Sequence, residues 1–133
     1  MKTGLPAGLR LTFTMGAVIS SVIAVACMLF PAEVAKFTGL NQDGFTLPVF
    51  QQSGAAVLGY ALAALLSLRA TRWEEVRIAV LGSLAFAAFS TAGAFYYVVL
   101  QGVATTGLVL LLIYSLLLTV GLGYYVVRPP AHA

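Results

Sequence analysis

The chain has 133 residues, of which 61% are hydrophobic and only 8% charged, against roughly 25% charged in ordinary soluble domains. Its net charge of +3 is scattered over short segments and forms no basic face, which excludes nucleic-acid binding. One cysteine, Cys27, excludes an intrachain disulfide and a cysteine-rich metal site.

The charged residues are so placed that three long runs contain none: Leu11 to Ala32, Gly44 to Leu68 and Ile78 to Val127. A hydrocarbon core about 30 Å thick is crossed by about 20 apolar residues in a helix. The first two runs each supply one span. The third is too long for one and breaks at Gln101-Gly102 and Thr105-Thr106-Gly107, so it supplies two. The expectation is an all-α membrane protein in one domain, residues 1–133, a four-transmembrane-helix bundle. Its spans are predicted at about 10–30, 48–68, 77–100 and 104–127. Lys2 and Arg10 precede the first run as in a signal peptide, but the run exceeds a signal peptide's 7–15-residue apolar core, so an uncleaved first helix is expected.

The first span stops at Pro31, because proline cannot continue a helix interior. The loop behind it, Pro31 to Leu47, is the longest connection. Within it Ala32 to Phe37 reads as a short interfacial helix, with Val34 and Phe37 on one face and Gly39 as its terminator. A lid over a site between the spans is the sharper alternative. Pro48 opens the second span. The turn Arg69 to Arg77 follows, with Trp73 suited to anchor at the headgroups and Glu74 and Glu75 suited to the positive end of the third span's dipole. Lys2, Arg10, Arg69, Arg72, Arg77 and Arg128 fall on one side under four spans, and Lys36 alone on the other. Short cytoplasmic loops collect Lys and Arg, so both termini are expected in the cytoplasm.

Lipid tails are as apolar as leucine, so membrane helices meet through small residues. Four-residue spacing marks such faces at Gly16, Ser20 and Ala24, at Ala55, Gly59 and Ala63, at Ala79, Ser83, Ala87 and Thr91, and at Ser115, Thr119 and Gly123. Gly16, Gly59, Ser83 and Gly123 are thus the expected helix-packing positions. Any one stripe has the alternative of facing another subunit.

No Asp, Glu, Lys, Arg or His lies inside a predicted span. That argues against a proton-coupled exporter and removes haem or metal ligands from the membrane. Hydrolase triads, carboxylate pairs and cysteine pairs all lack their parts, and His132 reads as a solvated terminus. Two polar groupings remain. Ser20, Tyr60, Ser90 and Tyr114 fall at similar depth, as a midplane layer. Its plain explanation is mutual hydrogen bonding, and its functional one a pocket for an apolar molecule with a polar handle. Gln51, Gln52, Tyr96, Tyr97 and Gln101 gather at the outer ends of the second and third spans, where Glu33 and Asp43 could approach. Amides and phenols there suit a quinone carbonyl or a lipid headgroup, or simply meet interfacial water.

The stretch Leu-Phe-Pro-Ala-Glu-Val-Ala-Lys-Phe-Thr-Gly-Leu (residues 29–40), with Gln-Gln-Ser-Gly-Ala-Ala-Val-Leu-Gly-Tyr-Ala-Leu (51–62) and the basic turn after it, resembles the DoxX-like group of small four-helix bacterial membrane proteins. It covers about residues 28–82. The resemblance implies a multi-pass protein of the bacterial inner membrane, in a group whose members are taken as quinone-linked oxidoreductase subunits or accessory proteins. It carries over no catalytic residue. The function expected first is a non-catalytic accessory or assembly subunit among other integral membrane subunits and membrane lipids. A quinone-, carotenoid- or lipid-binding subunit of a redox complex is the alternative.

Overall fold

The computed structural model describes residues 5–40, 44 and 46–130; Lys2, Asp43 and His132 lie outside them. Five helices follow in order: α1 (Ala7–Leu29), α2 (Pro31–Thr38), α3 (Thr46–Ser67), α4 (Trp73–Phe95) and α5 (Thr106–Val127). A π-helical turn, Tyr96–Leu100, extends α4. Four of the helical stretches are long and apolar enough to cross a membrane, and the short α2 sits in the first connection, as expected.

Local chemistry sets the boundaries. Pro31 ends α1 and, at the first position of α2, begins the next helix, because its missing N–H is needed in neither place. Gly39 takes φ +74°, and the N–H of Leu40 donates to the Ala35 carbonyl at 2.9 Å, which closes α2. The third span begins at Trp73 rather than near Arg77. Glu75 makes the earlier start: its Oε2 accepts from the backbone N–H groups of Thr71 and Arg72 at 2.9 and 3.4 Å, satisfying donors just ahead of the helix. At the far end the N–H groups of Gln101 and Val103 reach back to the Tyr96 and Tyr97 carbonyls, each at 3.0 Å, Gly102 turns the chain with φ +68°, and the Thr105 hydroxyl caps α5 by accepting from Leu108 N–H at 3.4 Å.

The spans alternate in direction. α1 packs most closely on α3 and α4 on α5, while the α1–α5 and α3–α4 contacts are sparser. At the end holding Arg10, Arg69, Arg72, Arg77 and Arg128, the basic end, Leu9, Phe13, Ala64, Trp73, Val76, Val80 and Leu122 form a shared apolar core. Trp73 is only 9% exposed there: starting α4 four residues earlier than expected turns the indole inward, so that at the end of the span its ring packs on the core. The outward surface is as apolar as the interior, with Ile78 84% and Phe89 79% exposed. Such a surface suits hydrocarbon, not water, and the protein is a multi-pass membrane protein.

Three of the four expected packing positions face inward. Gly16 and Ser83 are buried, and Gly123 is half-buried, where a methyl group would touch Leu84 Cδ1 at 3.8 Å. Gly59 does not: it is exposed, and a methyl group there would meet nothing within 4 Å. The buried face of α3 runs instead through Gly54, Ala61 and Ala64. A helix carrying small residues on two faces fits the four-residue rule twice, and spacing alone does not choose between them.

Candidate site between the helices

Two neighbouring cavities lie between the spans on the α2 side of the bundle. The larger, about 510 Å³, is walled by Ser20, Ile23 and Cys27 of α1, Phe50, Ser53 and Ala56 of α3, Phe86 and Ser90 of α4, and Leu111, Tyr114 and Ser115 of α5. The second, about 460 Å³, shares Ile23, Cys27, Phe50, Leu111 and Tyr114 and is closed by Val34, Phe37 and Thr38 of α2. Both fall within the size range of small-molecule sites. Among the described residues neither wall contains a charged side chain. Ser53 and Ala56 line the larger space yet are exposed on the outside of α3, so the cavity opens sideways where α3 and α4 touch least.

The sequence supplies this space through size. Small side chains bring α1 and α3 together at Gly54, where a methyl group would lie 2.8 Å from Met28 Cγ and 2.9 Å from the Ala24 carbonyl oxygen. α2 is held over the gap by α5. Thr105 donates from its hydroxyl to the Thr38 carbonyl at 2.8 Å, and Gly107 lets that strap lie close, since a methyl group there would stand 2.7 Å from the Phe37 carbonyl oxygen.

The polar part of the wall is a hydroxyl pair. Ser20 and Tyr114 share a hydrogen bond of 2.8 Å across α1 and α5, and the Tyr114 hydroxyl also donates, at 3.4 Å, to the Gly16 carbonyl. Ser20 is 2% exposed. The other two members of the expected midplane layer behave differently. Ser90 is half-buried and lines the larger cavity. Tyr60 stacks on Phe86 with ring centroids 5.6 Å apart. Its enclosed hydroxyl has no hydrogen-bond partner among the described residues, and a methyl group at Gly16 would lie 2.7 Å from it. Tyr60 therefore fills the space that Gly16 leaves open.

The expected outer cluster is divided. Gln51 donates to the Met28 carbonyl at 3.5 Å, tying it to α1, and Gln52 points outward, exposed. Gln101 donates to the Tyr96 hydroxyl at 2.8 Å, and Tyr96 meets Tyr97 edge to face at 5.4 Å. No hydrogen bond or ring contact among the described residues joins the two halves, because α3 and α4 diverge there. None of the five lines either cavity. Cys27, Phe50 and Leu111, which line both, are apolar or nearly so, and only their tertiary placement distinguishes them from lipid-facing neighbours.

The site can hold and orient a neutral molecule. Its hydroxyls offer both donor and acceptor, and among the described residues no group of His, Cys, Asp and Glu stands where a metal ion could be held. No family model matches the chain, and neither curated proteins nor solved structures yield a match.

Proposed function

We propose that the protein is a non-catalytic integral membrane subunit that holds a neutral lipophilic molecule between its helices, in the class of a quinone, a carotenoid or a lipid. The observation that carries this is the pair of uncharged cavities meeting at the Ser20–Tyr114 hydroxyls. An ionised ligand would lose its hydration there with no opposite charge to replace it, which is strongly unfavourable. A neutral one brings a single hydroxyl to the lone pairs of the pair, whose own hydrogens are donated within the pair and to the Gly16 carbonyl, or a carbonyl to the Ser90 hydroxyl on the same wall, and leaves its apolar part against Ile23, Phe50 and Leu111. The sideways opening admits it from the bilayer. The resemblance to DoxX-like proteins supports a bacterial inner-membrane setting, and the placement of basic residues supports cytoplasmic termini.

Solvent extraction of the purified chain tests the proposal. A neutral compound should be recovered in fixed ratio to protein, and Ser20→Ala should lower that ratio while the helical content holds and the melting temperature falls only slightly, as loss of the bond to Tyr114 requires. Extracts free of such a compound from parent and variant alike would overturn it.

One observation favours a second reading, an accessory or assembly subunit of a larger complex. Ala55 and Gly59 face outward on α3, and in lipid such a strip admits close approach of another helix. Gly59→Leu should then strip co-purifying polypeptides from the protein without lowering its own stability. Unchanged co-purification, or none in the parent, would remove this reading and leave the first untouched.

A further inference from the structure

A separate groove of about 470 Å³ lies at the basic end, between the first turns of α4 and the segment after α5, lined by Trp73, Glu74, Arg77, Leu81, Val126 and Pro129. We propose that it binds the headgroup of a zwitterionic phospholipid with a primary ammonium, Arg77 taking the phosphate and Glu74 the ammonium. Glu74 and Arg77 stand three residues apart and so share one face of α4. Both are exposed. Their neighbours are engaged: Arg72 pairs with Glu75 at 3.2 Å, and Arg128 lies 6.0 Å over the Tyr124 ring. Among the described residues Glu74 and Arg77 form no ion pair or hydrogen bond.

Charge complementarity selects the occupant. One guanidinium and one carboxylate sum to zero. A purely anionic headgroup gains Arg77 but meets Glu74, whereas a phosphate with an ammonium two carbons away satisfies both. A quaternary ammonium has no N–H to donate to the carboxylate, so a primary ammonium fits better. The groove also suits the rest of a lipid. Leu81 lies one turn below Arg77, about 6 Å deeper at 1.5 Å per residue, and with Val126 it meets the start of an acyl chain. Trp73, buried beside them, makes a firm floor, and Pro129 adds no competing N–H donor. The depth is that of a headgroup at the end of a span, where arginine and an aromatic ring are at home.

The full-length protein is reconstituted in vesicles holding equal parts of phosphatidylethanolamine, phosphatidylcholine and phosphatidylglycerol with identical chains. Lipid retained after mild solubilisation is then counted by mass spectrometry. The parent should retain phosphatidylethanolamine about threefold over each of the others, the scale of one exposed charge pair. Arg77→Gln should lower all three, Glu74→Gln should abolish the preference and raise phosphatidylglycerol, and Arg69→Gln, outside the groove, should change nothing. If Arg77→Gln does not accumulate, Glu74→Gln decides alone. A parent that retains phosphatidylglycerol at least as well, a Glu74→Gln variant with unchanged preference, or an Arg69→Gln variant that loses it would overturn the proposal.

Discussion

The close approach of α1 and α3 at Gly54 predicts that Gly54→Ala destabilises the protein and Gly59→Ala does not. Both residues lie in α3 and both substitutions add one methyl group, so the gain in helix propensity, about 1 kcal/mol, is common to the two and cancels in their difference. What remains is the added methyl's surroundings. At Gly54 it would stand 2.8 Å from Met28 Cγ and 2.9 Å from both the Ala24 carbonyl oxygen and Cys27 Cβ. Met28 is flexible enough to move, but the Ala24 carbonyl belongs to a helix backbone and is not. At Gly59 nothing lies within 4 Å. Overpacking of this kind costs about 1–3 kcal/mol, so Gly54→Ala should be less stable than Gly59→Ala by that amount. Unfolding in mixed micelles of increasing sodium dodecyl sulfate, followed by helix content, measures the difference. Equal stabilities, or a less stable Gly59→Ala, would refute the α1–α3 packing described here.

Tyr60 and the half-buried Tyr114 should respond oppositely to loss of their hydroxyls. Tyr60→Phe removes an enclosed group without a partner and should stabilise by about 1 kcal/mol, whereas Tyr114→Phe removes the bond to Ser20 and should destabilise by about 0.6 kcal/mol; the same unfolding assay reads both, and a destabilised Tyr60→Phe would contradict the packing of its ring. Thr105→Val loses both the cap on α5 and the bond to the Thr38 carbonyl, a loss of about 1 kcal/mol. Amide exchange in residues 31–40 should accelerate while that of α1 and α4 does not, and unaltered exchange would show that α2 is held by other contacts. Reporter fusions after Leu40 and after Pro130 should fall on opposite sides of the membrane, the second in the cytoplasm; a periplasmic second fusion would reverse the assigned orientation.

Much of the architecture could be read from residues alone because the bilayer imposes it: long runs without charge have one stable form in hydrocarbon, the helix. Pro31 and Gly39 likewise mark their boundaries by backbone chemistry. Trp73 was harder, since an indole suits an interface and a bundle end equally, and only the early start of α4 at the Glu75 cap turns it inward. On α3 two faces carry small residues, and lipid gives no polarity contrast to show which is inside. The site was partly legible. Ser20 and Tyr114 stand out as hydroxyls at matching depth, but that they touch each other, and that Tyr60 settles against Gly16 instead, depends on how α1, α3 and α5 are rotated. The glutamines and tyrosines of the outer ends look like a site only if α3 and α4 converge there, and they do not.

Whether the cavities at Ser20 and Tyr114 hold a neutral lipophilic molecule can be read by native mass spectrometry of gently released protein, comparing the parent with Ala56→Trp. Ala56 lines the larger cavity from an exposed position on α3, so an indole there can fill the space without disturbing the core. The parent should carry one discrete neutral adduct, and the variant should fold, melt like the parent and carry none. A bare polypeptide in both, or an adduct that survives in Ala56→Trp unchanged, would contradict the proposed occupancy.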